Sequence, residues 1–238
     1  MRFNILFWDL DETILNFEAA ERAALQKGFR EFHLGPCTDE MMRRYHVINI
    51  KYWERLERGE ITKPEVLRGR YVEWFGVEGI ECEDIDAFVA AFQINLGDTI
   101  VFYDNAKELL IRLKERGVKQ YLVTNGTEVA QTNKLKKSGL DEIVDGVFIS
   151  ELLGAEKPSK AYFDEVLKAV QAECGKVEPK DILMIGDSLT SDMPGGERAG
   201  LTTCWYNPKH KVNDKGVRID YEISNLNEIE TIIETIEA

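Results

Sequence analysis

The sequence predicts an α/β fold in which a parallel sheet carries a helical module inserted after its first strand. Three observations lead there. Short apolar runs that end abruptly in a polar or acidic residue suit strands buried on both faces of a sheet. Helical patterns separate those runs, and strands alternating with helices imply parallel pairing through right-handed crossovers. The stretch from about Glu18 to Asn95 breaks the rhythm and holds no convincing strand.

The first strand candidate is residues 3–8, Phe-Asn-Ile-Leu-Phe-Trp, stopped by Asp9. Four later runs have the same shape: Gln120 to Thr124, Val147 to Ser150, Ile182 to Gly186, and Thr202 to Tyr206. The helices between them have readable ends. Asp104 is expected to cap a helix from Lys107 to Arg116, with Gly117 as its stop. Ser159 is expected to cap a helix at Tyr162 to Val170, and Asn225 with Glu228 reads as a capping box for the last helix. The inserted stretch reads as four helices, roughly 18–33, 39–57, 63–75 and 83–95. Thr62 with Glu65 makes another capping box, and Pro64 falls in the first turn that follows. The α/β core is therefore expected at 1–16 and 97–238, and the helical cap at 17–96.

Composition narrows the function classes. The 238 residues are 44% hydrophobic and carry a formal net charge of −13. A field of that sign repels nucleic acid and anionic membranes, so neither is an expected partner. An anionic substrate would need local positive charge, from a metal and a lysine. No apolar run approaches the ~20 residues needed to cross a bilayer. Two acids stand where a signal peptide would have its apolar stretch, so a cytoplasmic protein is expected. Cys37, Cys82, Cys174 and Cys204 form no Cys-x-x-Cys pair, which argues for reduced thiols rather than a zinc or dithiol centre.

Four signals lie at the ends of four predicted strands, where ligands bind in an open parallel sheet. The first is Asp9-Leu10-Asp11-Glu12-Thr13. Acids at i and i+2 on an extended segment can point to one side, one to attack phosphorus and the other to protonate the leaving oxygen. The second is Thr124-Asn125-Gly126, a hydroxyl and a turn whose N–H groups can cradle phosphate oxygens. The third is Lys157 before Pro158, a cation able to neutralise a phosphoryl group in transfer. The fourth runs from Gly186 to Asp192. It offers Asp187 as a ligand to Mg²⁺, which prefers one or two carboxylates plus waters and phosphate oxygens, and Asp192 to orient the lysine or a metal-bound water.

With these motifs in this order, the chain resembles the haloacid dehalogenase superfamily over nearly its whole length. The resemblance implies a Rossmann-like core with a helical cap inserted between the first and second motifs. It implies Asp9 as the nucleophile that forms an aspartyl-phosphate, and Asp11 as the general acid/base with its main-chain carbonyl on Mg²⁺. Thr124 and Lys157 are implied as phosphate holders, Asp187 as the second carboxylate on the metal, and Asp192 in a supporting role. The second aspartate favours phosphate over halide, because a departing alkoxide needs a proton and a halide does not.

A closer resemblance is carried by Asp187 to Gly200, by Thr203-Cys204-Trp205-Tyr206-Asn207-Pro208, and by the cap segments Ile48 to Trp53, Glu57 to Thr62 and Arg70-Tyr71. These are similar to the 5′-nucleotidases of the superfamily that act on pyrimidine nucleoside monophosphates. Tyr45, Asn49, Tyr52 and Trp53 fall on one helical face, where Asn49 is the expected substrate contact and Tyr52 and Trp53 read as cap packing. The rival readings are a phosphatase of a small sugar or hydroxy-acid phosphate, and a binding protein that kept the fold without turnover.

Overall fold

A computed structural model describes residues 1–234. By contact the chain divides into two compact units, the first comprising 1–17, 101–128 and 138–238, the second 18–100 and 129–137.

The first unit is built on six parallel strands: β1 (Ile5–Trp8), β2 (Lys119–Thr124), β3 (Gly146–Ile149), β4 (Ile182–Gly186), β5 (Thr202–Tyr206) and β6 (Tyr221–Ile223). Their order is β3-β2-β1-β4-β5-β6. Strand β1 thus lies between β2 and β4, and the strand order reverses beside it, which opens a crevice at the carboxyl ends. Every residue of β1, β4 and β5 is buried. That is why these strands read as continuous apolar runs rather than as alternations. On one face Ile5, Phe7, Tyr121, Val123 and Met184 pack against Tyr162, Phe163, Val166 and Val170. Each such side chain contributes about 1.5–3 kcal/mol of burial. The chain leaves this unit and returns to it along one short ribbon, in which Asn16 N–H donates to the Val101 carbonyl (2.8 Å) and Tyr103 N–H to the Ile14 carbonyl (3.0 Å).

The second unit holds α1 (Phe17–Glu31), α2 (Asp39–Glu57), α3 (Lys63–Glu78) and α4 (Ile85–Asn95). Its centre is aromatic: Phe29, Tyr45, Tyr71, Trp74, Phe75, Phe88 and Phe92 are buried together. Tyr45 and Tyr71 stack at 5.3 Å and share a hydrogen bond of 2.9 Å between their hydroxyls. Thr62 and Glu65 form the expected capping box, and Asp84 accepts from Ala87 N–H to start α4. Among the described residues, no helix is long and apolar enough to cross a membrane.

Several details differ from the sequence reading. Asp104 does not cap α5 (Ala106–Glu115). Asp104 and Asn105 both adopt left-handed backbone, Asn105 is the N-cap, and the Asp104 carboxylate instead accepts from Tyr206 Oη (2.8 Å) and Leu226 N–H (3.0 Å). The third strand ends at Ile149, because Ser150 already begins α7 (Ser150–Leu153). Helix α8 runs Lys160–Cys174, with Ser159 as its cap, one turn beyond the expected end. The short strand β6 and the helix α6 (Glu128–Ser138) had no place in the sequence reading, and residues 129–137 of α6 fall in the second unit rather than in the core expected at 97–238.

Candidate active site

Strand β1 ends on Trp8, and the next main-chain N–H, that of Asp9, still donates to the Ile185 carbonyl of β4 at 2.8 Å. Asp9 is therefore held at the mouth of the sheet by one more ladder bond. Its carboxylate is only 7% exposed. One oxygen, Oδ1, accepts from Lys157 Nζ at 2.6 Å, and the other, Oδ2, from Thr13 Oγ1 at 3.2 Å.

Lys157 lies after α7, on the loop leading to α8, and is 1% exposed. Its ammonium donates to three acceptors: Asp9, the Asp192 carboxylate at 2.7 Å, and the Val123 carbonyl at 2.9 Å. Burial works against the charge, but Asp192 and Asp9 outweigh it and hold the ammonium protonated above its ordinary range. The Lys157 main chain is fixed as well. Its N–H donates to Asn125 Oδ1 and its carbonyl accepts from Asn125 Nδ2, both at 2.8 Å. The Asn125 amide is thus engaged on both sides with Lys157. Thr124, 1% exposed at the end of β2, accepts the Gly126 N–H on its hydroxyl at 3.2 Å. Of the N–H groups in this turn, that of Gly126 is engaged within the turn itself.

Asp187 follows Gly186 at the end of β4, and Asp192 opens α9 (Asp192–Arg198). Asp192 is 1% exposed, with Oδ1 on Lys157 and Oδ2 accepting from Ser188 N–H at 3.1 Å. Gly186 is required by this packing: a Cβ there would lie 2.3 Å from Asp192 Oδ2. One carboxylate oxygen each from Asp9, Asp187 and Asp192 lies within 4.8 Å of the others. The Asp11 carboxylate is not part of that trio, and Asp11 is half-buried on the adjoining loop.

The electrostatics ask for a cation. Burial, and to a lesser extent Asp192, raise the Asp9 carboxyl to about 7 against the opposing pull of Lys157. Asp187 is raised well above the carboxylate range by enclosure in protein and by Asp192 and Asp9, although part of its surface remains exposed. Three clustered carboxylates against one ammonium leave an excess of about two negative charges, which a divalent ion would neutralise. The donors are hard carboxylate oxygens, the set that Mg²⁺ prefers. The residues present fit that ion.

Asn49 belongs to the second unit. It is 4% exposed inside the second unit, where its amide donates to Glu21 Oε1 at 2.9 Å and accepts from Arg70 Nη1 at 2.6 Å. In this arrangement the Asn49 amide bridges two buried charges of the cap. Tyr52 and Trp53, expected as cap packing, are only half-buried, while Tyr45 belongs to the aromatic centre. The sequence reading quoted Thr13, Ser188 and Trp205 within its motifs but gave them no role, and it gave none to the Val123 carbonyl.

The sequence model of a hydrolase family, described as haloacid dehalogenase-like hydrolase, matches residues 3–200. The chain is 34% identical over 232 residues to the HAD-hydrolase YfnB of Bacillus subtilis, covering 98% of this chain and 96% of that protein. It is 34% identical over 224 residues to the pyrimidine 5′-nucleotidase PynA of Streptococcus pneumoniae, covering 94% and 92%. It is 30% identical over 234 residues to the pyrimidine 5′-nucleotidase YjjG of Escherichia coli, covering 98% and 99%. A crystal structure of YfnB bound to magnesium superposes with a TM-score of 0.89, covering 99% of this chain and 100% of that one.

Proposed function

The chain belongs to the haloacid dehalogenase-like hydrolases and is a phosphate monoester hydrolase, and from that premise we propose that it is a Mg²⁺-dependent 5′-nucleotidase acting on pyrimidine nucleoside monophosphates. The observation that carries the chemistry is the buried line Asp9–Lys157–Asp192, with Asp187 beside it. Likeness to PynA and YjjG along nearly the whole chain supports the substrate class.

Asp9 attacks the phosphorus, and the bond from phosphorus to the ester oxygen breaks. Asp11 gives its proton to the departing nucleoside oxygen, so the leaving group departs neutral. Asp11 then takes a proton from water. That water attacks the phosphorus of the aspartyl-phosphate, the bond to Asp9 breaks, and inorganic phosphate leaves. Lys157 holds Asp9 in one position throughout and places a fixed positive charge beside the phosphoryl oxygens. Thr124 and the turn through Asn125 and Gly126 shape the wall that faces the phosphate. Asp9, Asp187 and the Asp11 main-chain carbonyl would hold Mg²⁺. When bound, the ion neutralises charge on the phosphoryl group being transferred.

The test is phosphate release, with and without Mg²⁺, across pyrimidine and purine nucleoside monophosphates and a set of sugar phosphates. Preference for the pyrimidine set is expected. Preference for sugar phosphates would overturn the nucleotide reading and leave the chemistry standing, and no release from any ester would overturn both.

A further inference from the structure

We propose that Trp205 is a positioning residue: its indole N–H fixes the one peptide plane on which the placement of both Asp187 and Asp192 depends. Trp205 lies in β5, paired in register with Gly186 of β4, the residue immediately before Asp187. It is 2% exposed, and its Nε1 donates to the Asp187 carbonyl at 2.9 Å. The peptide that owns this carbonyl also owns the Ser188 N–H, and that N–H donates to Asp192 Oδ2 at 3.1 Å. A peptide unit is planar, with its carbonyl and N–H pointing in opposite directions. The plane is therefore clamped from both ends, by the indole on one side and by the Asp192 carboxylate on the other.

Rotating that plane would break both hydrogen bonds at once. It would release one oxygen of Asp192 and unfix the main chain that carries the Asp187 carboxylate. The other Asp192 oxygen holds Lys157, which in turn holds Asp9. A continuous run of hydrogen bonds thus leads from Trp205 to the attacking carboxylate, although Trp205 touches neither substrate nor any of the three carboxylates in this arrangement. Indole suits the task because it is a rigid donor with no acceptor character, and a buried indole N–H needs a partner. Outer partners bonded directly to a metal-binding side chain are worth about 10- to 100-fold in metal affinity or activity, and the indole, one step further out on the main chain, is expected at the lower end of that range.

The proposal rests on the reading of Asp187 as a carboxylate toward Mg²⁺, and the experiment separates the two. Trp205 is replaced by 3-benzothienylalanine, which keeps the bicyclic shape and puts sulfur where the N–H was; Trp205→Phe is the simpler companion. Mg²⁺ is titrated calorimetrically into metal-free protein, without substrate, and thermal midpoints are taken on the same samples. The benzothienyl protein is expected to bind Mg²⁺ about tenfold more weakly than wild type, with a thermal midpoint close to wild type. KM for the ester at saturating Mg²⁺ is expected to stay within about twofold, since the indole makes no part of the phosphate wall. Should Trp205→Phe fail to fold, the isosteric protein alone decides. Equal Mg²⁺ affinity in the benzothienyl and wild-type proteins would overturn the role of Trp205 and leave the metal reading intact. A wild-type protein that takes up no Mg²⁺ would overturn the metal reading and this proposal with it.

Discussion

Replacing Lys157 by methionine keeps most of the side chain's length and removes the cation that Asp9 and Asp192 share. Both carboxylates are at least nine-tenths buried, and the ammonium sits 2.6 and 2.7 Å from them. Breaking a buried ion pair from one side costs about 3–5 kcal/mol, because the partner's charge is left uncompensated. For a chain of this size about 1 kcal/mol moves the thermal midpoint by 2–4 °C, so Lys157→Met should lower it by about 6–20 °C in metal-free protein. The loss should depend on pH, and its sign follows from Asp9. Burial has raised the folded Asp9 carboxyl to about 7, so between about pH 4 and 7 the folded state holds a proton that the unfolded state has released. Stability therefore falls as pH rises through that window, by on the order of 4 kcal/mol in the wild type. Without Lys157 to pull the Asp9 carboxyl down, the window extends to higher pH, and the deficit against wild type is larger at pH 8 than at pH 5. Circular dichroism melts of both proteins at those two pH values, with chelator present, read this directly. A midpoint within about 3 °C of wild type at both pH values would refute the reasoning.

Three further outcomes follow from the same geometry. Gly186→Ala forces a Cβ to within 2.3 Å of Asp192 Oδ2, and should destabilise the fold by about 1–3 kcal/mol while cutting turnover sharply; melts and initial rates check it. Mg²⁺ uptake should release protons from Asp9 and Asp187, so the calorimetric affinity should rise by at least roughly tenfold per pH unit below about pH 7. Asn49→Ala removes a hydrogen bond from each of the buried Glu21 carboxylate and Arg70 guanidinium, and should destabilise the protein by about 1–3 kcal/mol, visible as a shift in the urea midpoint.

The parts of the fold that were legible in the sequence are those where one local signal suffices. Strands β1 and β4 are buried along their whole length and end on acids that a strand interior would not tolerate, so Asp9 and Asp187 announced themselves. Helix α6 was hidden for the opposite reason: its buried positions include Gln131, Lys134 and Ser138, so no apolar stripe marks its inner face. Strand β6 has three residues and one buried side chain, too short for any alternation to register. Asp104 looked like a helix cap because Asp in that position usually is one. Its left-handed backbone sends the carboxylate to Tyr206 and Leu226 instead, more than a hundred residues away.

The same limit governs the site. The residue types at Asp9, Lys157 and Asp187 carry their chemistry openly. The groups that hold them in place do so across gaps that leave no spacing to read: Asn125 to Lys157 over 32 residues, and Trp205 to Asp187 over 18. An amide on an aromatic helical face suggests a ligand at Asn49, and its partners Glu21 and Arg70, 28 and 21 residues away, leave no spacing to read.

The account turns on Asp9 as the attacking group. A single turnover with uridine monophosphate and Mg²⁺, quenched in acid and digested, allows each peptide to be weighed for a covalent phosphoryl group. The peptide containing Asp9 should carry that increment in the wild-type protein. Asp9→Asn should be folded, unlabelled and without turnover, since an amide is a far poorer nucleophile. A label on any other residue, or near wild-type turnover in Asp9→Asn, would contradict the account.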